Sequence, residues 1–486
     1  MDLLRLGETC WRAGPVGRFS ILIDGEAYFA ALAAALQRAQ RSVHLLGWSF
    51  DPRTRLAPGA DDPGELGRAL LELATSRPEL DVRILVWRSA LPISMTQSGF
   101  PHRAKRWFAG APVRFELDDT VPLGACHHQK VVVIDDALAF VGGADFACDR
   151  WDSTEHLDAD PRRRGPGGRP NGPRHEVMAM IDGPQAAWLG ALFRERWRNA
   201  TGEADDAPAA AGAGPALWPE DVAVDAAGGM AAVSRTSPAW RGRMAVREIR
   251  ALTLEAIASA KRLIYIENQY FTWPLAVEAL AARLAEPQGP EIVLVCSARS
   301  PSYFDRITMD RARSNALWRL TSSDVFGRFR ALAPFTAEGR PVIAHAKLMV
   351  IDDRLLRIGS ANLNNRSHGF DTECELALEA ASAADQAAIG GVRDRLAAHW
   401  IGRAVAELAE VRRLSGGLAE ALWALDGGSR LRPLEARRLG PVGEFIAEFH
   451  IGDPTDVSDS WRPFRRRERS LAEARALRRR LAATRG

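Results

Sequence analysis

Short apolar runs alternate along the chain with amphipathic, alanine-rich stretches. RSVHLLGWSF (41–50) and KRLIYIENQYF (261–271) each follow such a stretch, while DVRILVW (81–87) and EIVLVC (291–296) are shorter apolar runs. Apolar runs of this length are typical of buried strands, and the longer amphipathic stretches between them are typical of helices. The pattern therefore predicts alternating helices and strands in both halves of the chain, which is an α/β fold class.

One pattern of apolar and polar positions occurs twice. HHQKVVVIDD (127–136) is matched 217 residues later by AHAKLMVIDD (344–353), and the same offset relates Asp145 to Asn362. In each copy an apolar run meets a pair of aspartates, and a second apolar run then ends in glycine. This arrangement predicts a β-hairpin that turns at the acidic pair.

The repeat and the chain length together predict two domains, because 486 residues exceed what one ordinary core accommodates. We expect a first domain over 1–200 and a second over 233–405. Residues 201–232 are rich in Ala, Gly, Pro and acidic side chains without a sustained period, which is typical of a linker. Residues 406–486 then form a C-terminal extension with a basic tail.

The basic tail has two interpretations. Residues 461–486 contain ten Arg and two Glu. Such a charge run favours a solvated helix, and the alternative is a surface segment attracted to anionic lipid.

Composition narrows the class of protein. The chain is 47% hydrophobic and 26% charged, which is typical of a soluble globular protein, and its net charge of +3 does not by itself indicate a nucleic-acid ligand. The start of the chain lacks the apolar stretch of a signal peptide, and no run approaches the roughly 20 apolar residues of a membrane span. We therefore expect a cytoplasmic protein, with peripheral contact at the inner face of the membrane left open. The cysteines are scattered and suggest neither a disulfide framework nor a zinc site: Cys10, Cys126, Cys148, Cys296 and Cys374.

The repeated pattern places an imidazole beside an ammonium group twice. Alternate residues of a strand share a face, so His128 lies with Lys130 and His345 lies with Lys347. If the halves pack around a pseudo-twofold axis, both pairs can surround one anion in a single cleft. A phosphodiester suits such a cleft, because the lysines pair with its charge while the histidines act as nucleophile and proton carrier.

Metal-dependent chemistry is a weaker interpretation of this pattern. The carboxylates beside the histidines lie at the hairpin turns, where an aspartate usually bonds the local backbone. We therefore expect neither a metal ion nor another cofactor.

The chain resembles the phospholipase D superfamily over most of residues 20–400. It carries the H-x-K-x-x-x-x-D motif twice, and three further segments are similar to sequences of that family: GGADFACDRWD (142–152), YIENQYF (265–271) and GSANLNNRS (359–367). The resemblance implies two similar α/β/α sandwich domains with mixed β-sheets, related by a pseudo-twofold axis, with one active site at their interface.

The resemblance also implies a two-step phosphatidyl transfer. His128 would attack phosphorus to give a phosphohistidine, and His345 would protonate the departing alcohol and then deprotonate water or another alcohol. Lys130, Lys347 and Asn362 match residues that hold the phosphate oxygens. The remaining motif residues, Asp135 and Asp352, match members of the catalytic set with a mainly supporting role.

Family members further orient each histidine with an acidic residue downstream of its motif. RHEVMAMI (174–181) and CELALEA (374–380) have similar alternating contexts, which makes Glu176 and Glu375 the candidates. We expect Glu176 to contact His345 and Glu375 to contact His128 across the interface, where a carboxylate fixes the tautomer of the ring. Both could instead be ordinary surface acids.

Four functions remain open at this point. The first is cleavage or exchange of the head group of a glycerophospholipid, with water or an alcohol as acceptor, by a monomer that does not bind nucleic acid. The second is cardiolipin synthesis, and the third is a nucleic-acid phosphodiesterase, which would need a basic groove with interleaved aromatic residues. The fourth, a non-catalytic scaffold, is disfavoured because both histidines and both lysines are present.

Overall fold

The computed structural model describes residues 2–60, 64–90, 101–203 and 217–483, and its architecture is mixed α/β. The strands of the first half are β1 Arg12–Pro15, β2 Phe19–Ile23, β3 Ser42–Gly47, β4 Asp81–Trp87, β5 Val113–Asp118, β6 Val131–Ile134, β7 Leu138–Gly142, β8 Arg174–His175 and β9 Val177–Asp182. Its helices are α1 Asp24–Arg38, α2 Leu66–Ser76, α3 His102–Trp107 and α4 Pro184–Thr201.

The second half repeats the alternation of strands and helices. Its strands are β10 Met230–Ser237, β11 Val246–Arg247, β12 Leu263–Asn268, β13 Glu291–Val295, β14 Phe329–Pro334, β15 Ile343–Ala344, β16 Lys347–Ile351, β17 Leu355–Gly359, β18 Glu373–Glu379 and β19 Leu431–Pro433. Its helices are α5 Glu248–Ser259, α6 Pro274–Leu284, α7 Tyr303–Ser323, α8 Ala383–Ile401, α9 Val405–Ser415, α10 Leu418–Asp426, α11 Pro441–Glu448 and α12 Pro463–Ala483.

The two large sheets have the same strand order. One runs β2-β9-β7-β6-β3-β4-β5, and the other contains the run β10-β18-β17-β16-β12-β13-β14. In each sheet three strands are parallel, joined by helical crossovers, and an antiparallel hairpin lies beside them. The mixed α/β class predicted from the sequence is therefore confirmed, whereas the pseudo-twofold axis stays a prediction.

The central hairpins bury both of their faces. In β6, Val131 and Val133 enter a core that also contains Leu348 and Val350 of β16. Val132 lies between them in sequence and packs instead with the helices of its own half. This alternation follows from the period of two along a strand. One core therefore joins the two halves and fixes the position of one hairpin relative to the other.

The ends of the chain also join the second sheet. Strand β1 pairs antiparallel with β10, so residues 12–15 belong to the sheet of the second half. Strand β19 of the C-terminal extension pairs with β14. Strand β10 begins inside the segment interpreted as a linker, and the domain boundaries given above stay a prediction.

The acidic pairs lie at the hairpin turns, as the repeat predicts. Asp135 and Asp352 have φ of 54° and 52°, a left-handed conformation that aspartate tolerates better than most residues. The Asp135 carboxylate accepts hydrogen bonds from the backbone N–H groups of residues 40–42, and Asp352 accepts from those of residues 261–263. Each aspartate thus fixes the entry to the neighbouring strand at the end that lies away from the histidines.

Replacing Asp135 with Ala should lower the free energy of unfolding by about 3 kcal/mol, because several backbone donors lose a charged acceptor at once. Urea unfolding measures this change. Glu410→Ala, which removes an exposed acid on α9, is the control and should change the free energy by less than about 0.5 kcal/mol. Equal stability of the Asp135→Ala variant and the wild type would contradict the role assigned to this aspartate.

Candidate active site at the interface of the two halves

The two motifs meet at one cleft. His128 and His345 both line it, together with Asp145 and Asn362. Its volume is about 1270 Å³, larger than the roughly 300–1,000 Å³ of ordinary small-ligand pockets. The repeated sequence therefore builds two sides of one site.

Backbone contacts hold each motif against the opposite half. The N–H of His128 donates to the carbonyl oxygen of Thr372 at 2.9 Å, and the N–H of His345 donates to that of His175 at 2.9 Å. Strands β8 and β15 also pair with each other just before the second motif. Neither histidine is positioned by its own half alone.

The side chains of the histidines are held across the interface as well. His345 Nδ1 lies 2.8 Å from Glu176 Oε2, so the predicted contact between these residues is present. His128 Nδ1 lies 3.0 Å from Glu373 Oε2. The predicted contact of Glu375 with His128 is wrong, because the Glu375 carboxylate bonds the guanidinium of Arg357 instead.

Strand register explains why Glu373 was missed. Gly142 of β7 pairs with Met178, and the equivalent Gly359 of β17 pairs with Glu375. Counting back two residues from each partner leads to Glu176 and to Glu373, which are therefore the equivalent positions. The sequence contains this signal only if the strands are aligned through the glycines, whereas a similar alternating context favoured Glu375.

Burial sets the protonation of the site. Desolvation lowers the pKa of His128 and of His345 well below that of a free imidazole, and the nearby lysine ammonium groups lower it further. Burial also raises the pKa of Glu373 to about 7. Neutral rings that face carboxylates through Nδ1 leave Nε2 available for chemistry.

The two lysines have different partners. Each Nζ donates to the carbonyl oxygen of the histidine two residues before it. Lys130 Nζ also lies 3.0 Å from Asp145 Oδ2, whereas Lys347 Nζ donates to Gln269 Oε1 at 3.0 Å. Desolvation lowers the pKa of Lys347 well below its usual value. Among the described residues, the first lysine thus has a fixed counter-ion, whereas the hydrogen bonds of the second go to neutral oxygens.

Asp145 and Asn362 occupy equivalent positions with different bonding. Asp145 Oδ1 accepts from the backbone N–H groups of Trp48 and Ser49. Asn362 is buried at the cleft, and its Oδ1 has no hydrogen-bond partner within the part of the chain that the structure describes. The amide of Asn362 is therefore the one of the two side chains with unused capacity to bind a ligand.

Two arginines at the cleft were not singled out by the sequence analysis. Arg150 Nε and Arg174 Nη1 each lie 3.7 Å from Glu176 Oε1, and both guanidinium groups pair with Asp149. They lie outside the H-x-K-x-x-x-x-D motif, Arg150 in GGADFACDRWD (142–152) and Arg174 at the start of RHEVMAMI (174–181). They add positive charge on the His345 side of the cleft.

A separate group of side chains has the composition of a metal site. The ligand atoms of Asp24, His156, His175 and His399 all lie within 4.8 Å of one another. These residues lie behind Glu176 and do not line the cleft.

Comparison with known proteins gives consistent matches. A family model described as "Cardiolipin synthase, PLD-like domain" matches residues 253–389. Phospholipase D A of Dictyostelium discoideum is 25% identical over 424 residues, which cover 74% of this chain and 32% of that protein. Cardiolipin synthase A of Pseudomonas putida (strain W619) is 28% identical over 382 residues, covering 75% of this chain and 66% of that protein. The chain thus spans about one third to two thirds of the length of these relatives.

One solved structure has the same fold. Phosphatidylserine synthase of Haemophilus influenzae Rd KW20 superposes with a TM-score of 0.55 at 11% identity, covering 86% of this chain and 94% of that one. At this identity the match is evidence for the fold alone.

Proposed function

The chain belongs to the phospholipase D superfamily, and from this premise we propose that it cleaves or exchanges the head group of a glycerophospholipid through a phosphohistidine. One observation carries the proposal. Two imidazoles reach the same cleft, each held at Nδ1 by a buried carboxylate from the opposite half. A scaffold protein would not need either contact.

In the first step His128 Nε2 attacks phosphorus, and the bond to the head-group oxygen breaks. His345 donates the proton that the departing alcohol requires. Both rings are neutral in the free enzyme, but the negative charge of a bound phosphodiester raises the pKa of a neighbouring imidazole and so favours its protonation. Lys130, Lys347 and Asn362 hold the phosphate oxygens as charge builds on them.

In the second step His345 accepts a proton from water or from another alcohol. The oxygen of that molecule attacks phosphorus, and the bond to His128 breaks. Water gives phosphatidic acid, and an alcohol gives a new phosphatidyl ester. Glu176 and Glu373 act as positioning residues, because they hold the tautomers that these transfers need.

The rim of the cleft favours a lipid. Leu123, Phe304 and Trp461 line the cleft, although 78%, 58% and 72% of their surfaces are exposed. Apolar side chains exposed together around one opening are typical of contact with an apolar partner such as the edge of a bilayer.

The lining of the cleft carries charges of both signs. Its acidic residues are Asp119, Asp149, Asp305 and Asp371, and its basic residues are Arg88, Arg150, Arg174 and Arg366. That mixture disfavours a nucleic acid, which binds a predominantly basic groove.

Cardiolipin synthesis is the second candidate. The matched family description and the Pseudomonas relatives carry that name, and the volume of the cleft suits an acceptor larger than water. In that reaction the acceptor hydroxyl belongs to glycerol or to a second phospholipid. Both candidates use the same residues and differ in the product.

Mixed phospholipid vesicles, incubated with and without a primary alcohol and analysed by mass spectrometry, test the proposal. Phosphatidic acid indicates hydrolysis, phosphatidyl-alcohol indicates transfer, and cardiolipin indicates the second candidate.

Glu373→Gln should lower turnover about 100-fold and alter the pH dependence of the rate, because a neutral amide no longer stabilises a charged His128. Glu375→Gln is the matched control and should retain most of the turnover at temperatures where it is folded. A larger loss of turnover in Glu375→Gln than in Glu373→Gln would contradict the assignment of Glu373 as the residue that positions His128.

Peripheral contact with the inner face of the membrane is part of the proposal, for a cytoplasmic monomer. In the described residues, no helix has the length and apolarity needed to cross a bilayer. One side of α12 packs on the protein through Ala474 and Leu477, while Arg475, Arg479 and Arg480 are exposed. Deletion of the tail would therefore also remove buried contacts, and charge reversal is the sharper test.

Replacing Arg475, Arg479 and Arg480 with Glu should reduce co-sedimentation with anionic vesicles at low salt, because each basic side chain near such a surface contributes about 1 kcal/mol. Reversal of Arg68, Arg403 and Arg413 changes the net charge equally on other exposed surfaces and serves as the control. Equal loss of binding in both variants would indicate a net-charge effect, and unchanged binding would remove the tail from the membrane contact.

A further inference from the structure

Asp24, His156, His175 and His399 form a cluster in the interior, hereafter the histidine cluster. Asp24 and His175 have no exposed side-chain surface, and 8% of the side chain of His156 and of His399 is exposed. Asp24 begins α1, His156 lies in a loop, His175 ends β8 and His399 lies near the end of α8. Four segments of the chain, from both halves, thus converge on one point.

The ligand atoms of the cluster lie close enough together to contact one cation. His156 Nε2 and His399 Nε2 are 3.1 Å apart, and Asp24 Oδ2 lies 3.6 Å from the first and 3.4 Å from the second. His175 Nδ1 is 2.8 Å from Asp24 Oδ1. Bonds of about 2.0–2.1 Å to a tetrahedral zinc ion separate its ligand atoms by about 3.3–3.4 Å. These four distances, which involve both oxygens of Asp24, lie near that value, and all ligand atoms of the cluster lie within 4.8 Å of one another.

One hydrogen bond joins His156 Nε2 to His399 Nε2, but it does not account for the whole cluster. Among the described residues, Asp24 Oδ2 has no hydrogen-bond partner. His175 Nδ1 lies 2.8 Å from Asp24 Oδ1, and although burial lowers the pKa of His175, the carboxylates of Asp24 and Glu267 raise it to about 10. Buried polar atoms without partners are uncommon and costly in a protein interior. The lone pairs of Asp24 Oδ2 remain available for a cation, and His175 Nδ1 would bind one by releasing its proton.

Carboxylates outside the cluster bond two of the histidine rings, which is a common arrangement around histidines that bind a metal ion. His175 Nε2 is 2.9 Å from Glu267 Oε2, and His156 Nδ1 is 2.9 Å from Asp152 Oδ2. Trp400 Nε1 donates to Glu267 Oε1, and Arg163 donates to Asp152 Oδ1. Histidines that bind zinc typically donate their second ring N–H to such a carboxylate.

We propose that the histidine cluster binds one divalent cation of the zinc class. Imidazole nitrogen with one carboxylate oxygen is a ligand set suited to Zn²⁺ and less suited to Ca²⁺ or Mg²⁺, which take oxygen ligands. Four protein ligands leave no open coordination position, so the site is structural and takes no part in phosphoryl transfer.

The residues that would bind the cation are bonded through their backbones to Glu176 and His345 of the candidate active site. The N–H of Asp24 donates to the carbonyl oxygen of Glu176 at 2.8 Å, and His175 directly precedes Glu176 in sequence. The carbonyl oxygen of His175 accepts from the N–H of His345. His399 belongs to the second half, so one bound ion ties both halves together directly behind the Glu176 and His345 pair.

Metal analysis of the purified full chain tests the proposal without substrate. Protein from zinc-supplemented cultures should retain about one zinc per chain after gel filtration, and His399→Gln should retain less than about one tenth. His102→Ala removes a histidine outside the cluster and should keep the full content. Replacement of zinc by Co²⁺ should give the intense visible absorption of tetrahedral coordination, and a strong chelator should lower the unfolding temperature of the wild type.

The same measurements separate this inference from the proposed function. His128→Ala should hold one metal ion per chain while it turns over no lipid. Wild-type protein that holds less than about one tenth of an equivalent of zinc or Co²⁺, and whose unfolding temperature the chelator leaves unchanged, would overturn the proposal and leave the cluster as a proton-sharing network. If His399→Gln fails to fold, the wild-type metal content and the cobalt spectrum still decide the question.

Discussion

The structure depends on an exchange of carboxylate and imidazole contacts between its two halves. Glu176 of the first half holds His345 of the second, and Glu373 of the second holds His128 of the first. A buried carboxylate needs a bonded partner, and a buried imidazole needs a fixed tautomer, so each contact meets the requirements of both groups. Neither half contains a complete site, which gives a physical reason for the presence of two copies of the motif in one chain.

Several other features serve that exchange. The shared apolar core keeps the central hairpins in register with one another, and the motif backbones bond across the interface. Asp135 and Asp352 fix the far ends of the same strands. The proposed cation lies directly behind Glu176. Together these contacts hold the two histidines at one cleft.

Much of this arrangement could be predicted from the sequence. The repeat of the motif predicted the hairpins, and alternating apolar runs predicted the α/β class. The contact of Glu176 with His345 followed from the family resemblance. The contact of Glu373 with His128 was missed, because matching the similar sequences around Glu176 and Glu375 differs by two residues from the alignment that the strand pairing gives. The histidine cluster could not be found from spacing, since its four members lie far apart in sequence. The motif carboxylates at the hairpin turns predict no metal site there, and the histidine cluster lies outside the motifs.

Trapping of the covalent intermediate tests the central claim most directly. Phosphatidyl-p-nitrophenol has a leaving group that needs no proton, so a His345→Ala variant should complete the first step but not the second. We predict a burst of about one p-nitrophenolate per chain, with the phosphatidyl group on the peptide that contains His128. Turnover without a burst, or a modified peptide that lacks His128, would contradict a single site in which one half attacks and the other transfers the proton.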